Sequence, residues 1–143
     1  MYRAPLKDLM FALTEVVDAG SLAQLPRFAE FSPELADSVL SEAGRFAGEV
    51  LDPINGVADR EGARLAAEGV RCATGFVDAY RQYVEGGWPQ LGAGAELGGQ
   101  GMPLVLGTAV EEIGCGANAA FLRTYGGEID QAGVARMLEE HLT

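Results

Sequence analysis

Few residues in this chain are of a type and spacing that could do chemistry. The run Gly92-Ala93-Gly94-Ala95-Glu96-Leu97-Gly98-Gly99-Gln100-Gly101 has the glycine density of a phosphate cradle. Its context argues otherwise, because a dinucleotide fingerprint needs a preceding strand and a P-loop needs a Gly-Lys-Ser/Thr ending. Glu111 and Glu112 are neighbouring carboxylates, but adjacent helical positions point about 100° apart, so they cannot flank one atom as an acid and base pair. A solvated face with one partner-seeking Glu is the expectation. His141 is the only histidine and has no metal-ligand spacing around it, which suits pairing with a helix dipole near the last helix end. No Gly-x-Ser-x-Gly turn is present, so a nucleophilic serine is not supported. Cys72 and Cys115 lie far apart without Cys-x-x-Cys spacing and read as free thiols in a reducing compartment.

The elements that must position these residues read as helices. The first is expected to start at Pro5 and to carry Leu6, Leu9, Met10, Leu13, Val16 and Val17 on one face, ending at Asp18-Ala19-Gly20-Ser21. After a looser stretch through Leu25-Pro26-Arg27-Phe28, Ser32-Pro33-Glu34 is a helix start: a cap, a preset first turn and an acid on the dipole. The helix that follows turns Leu35, Val39, Leu40, Ala43, Phe46, Ala47, Val50 and Leu51 inward, and Glu34, Asp37, Ser41, Glu42, Arg45 and Glu49 outward. Gly44 and Gly48 each cost it about 1 kcal/mol relative to Ala, which close packing against a neighbouring helix would compensate. Within it, Asp37-Ser38-Val39-Leu40 is similar to the attachment tripeptide of acyl carrier proteins. Ser38, however, falls in the second turn of a long helix rather than at a helix start.

Asp52-Pro53-Ile54-Asn55-Gly56 is expected to break or kink that helix, and Val57 to Arg71 to hold a helical turn or an irregular excursion. Thr74-Gly75 opens a helix from Phe76 to about Glu85 that buries Phe76, Val77, Tyr80 and Val84; Gly86-Gly87-Trp88-Pro89 stops it. After the glycine-rich loop, Pro103 starts a helix with the apolar set Val105, Leu106, Ala109, Val110 and Ile113. Gly114-Cys115-Gly116 punctuates, a short apolar helix follows from Ala117 to Thr124, and a last one runs from Ile129 to Leu142. The pattern contains no persuasive strand. Five or six helices joined by Gly and Pro loops predict an all-α antiparallel bundle, and residues 1–143 read as a single helical domain.

At 143 residues, 48% hydrophobic and 22% charged, the chain is globular in composition, and a net charge of −11 makes nucleic acid and anionic membranes poor partners. No run approaches the roughly 18 apolar residues that would span a bilayer, and the N-terminus lacks an apolar h-region, so a cytoplasmic location is the expectation.

From Gly86 onward a family resemblance appears. Gly86-Gly87-Trp88-Pro89-Gln90-Leu91, followed by Glu96-Leu97-Gly98-Gly99-Gln100-Gly101-Met102-Pro103, resembles the acyl-CoA dehydrogenase pattern of a Gly-Trp turn and then a Gly-Gly-x-Gly turn. It continues through Glu111-Glu112-Ile113, Asn118-Ala119-Ala120-Phe121, Tyr125-Gly126 and His141. Upstream, Tyr2-Arg3-Ala4-Pro5-Leu6, Phe46-Ala47, Val50-Leu51-Asp52-Pro53-Ile54-Asn55 and Asp59-Arg60-Glu61-Gly62 also fit. Ala95 and Leu97 stand where the family usually has a Pro and an aromatic, and Arg123-Thr124 where its tail pocket is usually apolar.

The resemblance implies the N-terminal helical domain of that family, without the β-domain and C-terminal helices that hold FAD and supply the catalytic Glu. It accordingly implies no catalytic, cofactor-binding or metal residue here. It implies instead one wall of an acyl-tail cavity, with Phe121 and Tyr125 as the lining residues, and packing against domains supplied by the rest of the chain, a second chain or another copy. FAD and acyl-CoA belong to the completed flavoprotein. The alternative expectation is a stand-alone interaction or scaffold module using the apolar surface on which those domains would dock.

Overall fold

The computed structural model describes residues 1–125; the helix expected over Ile129–Leu142, with His141, lies outside the described residues. Five α-helices carry the described fold, joined by short 3-10 turns and one small hairpin. Helix α1 (Leu6–Phe11) starts with Pro5 at its cap, one residue before the expected helical position, and runs into a π-helical turn over Ala12–Val16. Leu9 and Leu13 are buried, but Val16 and Val17 are 68% and 54% exposed. The wider turn takes these two valines off the face that a uniform 3.6-residue period assigns them.

Helix α2 (Pro33–Phe46) begins as expected: Ser32 is extended, and its hydroxyl accepts the Leu35 N–H at 3.2 Å. Its inner stripe is Ala36, Leu40 and Ala43, fully buried, with Val39 and Phe46 half-buried. At Asp52-Pro53 the expected break does not occur. The chain passes through a π turn (Ala47–Leu51), in which the Asp52 N–H donates to the Ala47 carbonyl, and continues directly as α3 (Asp52–Glu61). A proline removes one helical N–H and its ring presses on the carbonyl four residues back. A π turn immediately ahead of Pro53 changes that spacing and lets the helix continue.

Gly44 and Gly48 do provide for a close approach, though of the N-terminal segment rather than a facing helix. A Cβ at Gly44 would lie 3.1 Å from the Ala4 methyl, and one at Gly48 would lie 3.3 Å from the Tyr2 carbonyl oxygen. On the other side, a Cβ at Gly116 would meet the Tyr2 hydroxyl at 2.7 Å, so Tyr2 is wedged between two helices. The Tyr2 N–H donates to the Asp52 carboxylate at 2.9 Å.

The region from Val57 to Arg71 is helix to Glu61 and then an antiparallel hairpin, β1 (Arg64–Ala66) with β2 (Gly69–Arg71), paired Arg64 to Arg71, Leu65 to Val70 and Ala66 to Gly69. The expectation of no strand is thereby corrected. Both strands are three residues long and almost wholly exposed, so they have no buried face to leave an alternation in the sequence. Helix α4 (Phe76–Glu85) buries Phe76 and Ala79 with Tyr80 and Tyr83 half-buried, while Val77 and Val84 are 55% and 43% exposed, against expectation.

Helix α5 (Leu104–Tyr125) packs against α2, the π turn and α3. Leu106, Ala109 and Ile113 are buried as expected. The helix runs through Gly114-Cys115-Gly116 without the expected interruption, and the break comes at Asn118, whose backbone is extended (φ −158°, ψ 86°). The buried side chains of all five helices form one continuous apolar cluster.

Candidate functional site

The break at Asn118 is built from its own side chain. Asn118 is 1% exposed; its Oδ1 accepts the Phe121 N–H at 3.0 Å, capping the last turns of α5, and its Nδ2 donates to the Leu51 carbonyl at 3.1 Å. One amide therefore ties the bend in α5 to the π turn between α2 and α3.

That capped segment carries Phe121 and Tyr125 at i and i+4 on one face, opposite Phe76, Tyr80 and Tyr83 of α4. The Phe121 ring, fully buried, meets Phe76 edge-on at 5.5 Å and Tyr83 edge-on at 5.9 Å. Tyr125 stacks on Tyr80 at 4.6 Å and lies 5.2 Å from Phe121. The two residues are thus brought together, with Phe121 inside the core and Tyr125 half-buried at its edge. Burial, reinforced by the Cys72 thiol and Tyr80, pushes the Tyr125 hydroxyl up to about 12.

Beside this cluster, and sharing Tyr83 with it, lies a small apolar cleft of about 30 Å³. Its floor includes Ala43, Ala47, Leu51 and Gly114, and its aromatic walls are Phe46, Tyr83 and Trp88. Neither Phe121 nor Tyr125 lines it. Glu111 contributes the one carboxylate of this lining, and burial raises that carboxyl above its usual range with no described cation to offset it. Glu112 is exposed on a different face, where its charge acts on Tyr2, so the two carboxylates separate as their spacing requires. Of the small residues that open the cleft, Ala43 and Ala47 were visible in the sequence only as inward helix positions and Gly114 only as punctuation. Trp88 was visible as part of a stop signal and of the Gly-Trp turn.

The glycine-rich loop closes on itself. The amides of Leu97, Gly98, Gly99, Gln100, Gly101 and Met102 donate in turn to the carbonyls of Gly94, Ala95, Gly94, Gln90, Ala93 and Leu91 at 2.8–3.0 Å. A Cβ at Gly99 would lie 2.1 Å from the Ala93 oxygen, so this approach needs glycine. Amides committed in this way do not fit the cradle of a flavin or nucleotide phosphate. Ser38 is exposed in mid-helix, its hydroxyl donating to the Glu34 carbonyl at 2.9 Å. Cys72 and Cys115 are free and exposed. Among the described residues no helix is long and apolar enough to cross a membrane, and no three His, Cys, Asp or Glu side chains converge as a metal site.

No family model matches the chain. Over 120 residues, 84% of its length, it is 38% identical to 3-methylmercaptopropionyl-CoA dehydrogenase of Ruegeria pomeroyi. The chain thus matches a fragment of an acyl-CoA dehydrogenase. The matched stretch is only 20% of that relative's length, so the chain carries about a fifth of such a protein.

Proposed function

We propose that this chain is the N-terminal helical domain of an acyl-CoA dehydrogenase-like flavoprotein, an antiparallel bundle that is not catalytic alone. In this reading it contributes packing and part of an acyl-tail cavity. The observation that carries the reading is the 38% identity over 84% of the chain. Two structural features support it. The glycine-rich loop spends its amides on its own carbonyls, as a rigid connection would. Helix α4 also leaves Val77 and Val84 in the open, seven residues apart on one side, as a surface awaiting a neighbour would.

The missing β-domain and C-terminal helices would supply the FAD site and the base, from the rest of a longer chain, a second chain or another copy. Tyr125 would present its exposed edge to an acyl tail while Phe121 backs it from inside. The purified chain tests the claim of dependence: its visible spectrum is expected to show no flavin, and it is expected not to dehydrogenate any acyl-CoA with an added electron acceptor. Bound flavin and turnover by the chain alone would overturn it. The exposed apolar side chains also suit a stand-alone interaction module, for which the same chain would form stable assemblies without any flavin-bearing partner.

A further inference from the structure

Three glycines on two sides of the bundle leave room for the first residues of the chain. Gly44 and Gly48, on α2 and the π turn after it, face Ala4 and the Tyr2 carbonyl. Gly116 on α5 faces the Tyr2 ring, where a Cβ would lie 2.7 Å from the hydroxyl and 2.9 Å from Cε2. A glycine within a helix costs about 1 kcal/mol relative to Ala, a cost that the close packing of Tyr2 offsets at Gly116. Tyr2 also holds the π turn. Its N–H donates to the Asp52 carboxylate at 2.9 Å, and the neighbouring residue, Leu51, gives its carbonyl to the Asn118 side chain at 3.1 Å. The Asp52 N–H closes that turn on the Ala47 carbonyl. Tyr2 therefore touches both of the elements that Asn118 joins: α5 just ahead of its bend, and the π turn beside Leu51. Beyond the bend, Asn118 caps the turn that carries Phe121 and Tyr125.

We propose that residues 2–5 are a latch that fixes the bend in α5, with Tyr2 as a positioning residue for the aromatic face formed by Phe121 and Tyr125. The physical route is short. With the ring against Gly116 and the backbone N–H on Asp52, α5 and the π turn are held at one spacing, and the Asn118 amide stays within reach of the Leu51 carbonyl. Without the ring, the space beside Gly116 closes in part by movement of its walls. Movement of α5 there passes through Asn118 to the stack of Tyr125 on Tyr80. The bearing of this latch on an acyl tail rests on the reading proposed above. The coupling itself is measured without acyl-CoA or flavin, so either can fail while the other stands.

Amide hydrogen exchange and aromatic ring resonances, both read by NMR on the full chain, test it. Tyr2→Ala is expected to speed exchange at residues 121–125 by about tenfold and to shift the Tyr80 and Tyr125 ring resonances. Tyr2→Phe keeps the ring and is expected to leave both unchanged. Gly116→Ala displaces the ring and is expected to reproduce the Tyr2→Ala effects. In a chain already carrying Tyr2→Ala, the same alanine meets no ring, and its helix propensity is expected to raise the urea midpoint. A role in stability alone would lower the urea midpoint while leaving exchange at residues 121–125 and the two ring resonances unmoved. That result in a folded Tyr2→Ala chain would overturn the proposal. So would a Gly116→Ala change with the same effect in the presence and absence of the Tyr2 ring. Should Tyr2→Ala fail to fold, a folded Gly116→Ala chain with unmoved exchange and resonances would overturn it equally.

Discussion

Asn118 does the work of two residues. Its amide caps Phe121 and reaches the Leu51 carbonyl, both from a fully buried position. Removing it leaves an uncapped N–H in an apolar interior, so Asn118→Ala is expected to destabilise the chain by about 2–3 kcal/mol, read from the shift in urea midpoint. Asn118→Asp keeps the acceptor for Phe121 but sets an oxygen against the Leu51 carbonyl, and is expected to cost at least as much. Tyr125 gives a pH signature of definite sign. Its folded pKa, pushed to about 12, lies above the ordinary value of 10.0, so the folded chain holds this proton more tightly than the unfolded one. The stabilisation is complete below pH 10 and is lost as pH rises toward 12. Tyr125→Phe should therefore show a smaller fall in urea midpoint between pH 9 and pH 11 than the unaltered chain.

Elements make the next set of demands. The turn into α4 passes through Gly75 at φ +90°, and a Cβ there would lie 2.8 Å from Cγ2 of Ile54 on α3. Gly75→Ala combines a disfavoured backbone with a clash against a β-branched side chain, and is expected to cost about 1–3 kcal/mol, seen as a lowered thermal midpoint. The helix starts were legible because their signals are local: Ser32 capping before Pro33, and Thr74-Gly75 before Phe76. Features decided by hydrogen-bond spacing were not. The π turns moved Val16 and Val17 into solvent and carried the helix past Pro53, although the residues themselves read as a continued period and then a break. The bend in α5 was placed at its glycines because glycine is the usual punctuation. It is set instead by a buried Asn whose partner, Leu51, is 67 positions away. The hairpin left no trace for want of a buried face. At the candidate site, the family resemblance paired Phe121 and Tyr125 as lining residues of a tail cavity, and the structure places the two rings 5.2 Å apart on one helix face. Sequence reading did not find the adjoining cleft, whose walls come from α2, α4, α5 and the turn at Trp88.

At the scale of the whole molecule, one apolar cluster links all five helices, and exposed apolar side chains remain at its periphery: Val77 and Val84 on α4, Leu104 at the start of α5, and Leu65 with Val70 across the hairpin. In the proposed reading, the rest of the flavoprotein would cover this surface. The central claim is that these residues form an interchangeable helical part of an acyl-CoA dehydrogenase-like flavoprotein. The most direct measurement replaces the matched stretch of the Ruegeria pomeroyi 3-methylmercaptopropionyl-CoA dehydrogenase with the corresponding residues of this chain, and records flavin absorbance and dehydrogenation of that acyl-CoA. The account predicts a folded chimera that retains flavin and turns over. A chimera that folds but neither holds flavin nor dehydrogenates, while the parent enzyme prepared alongside does both, would contradict it.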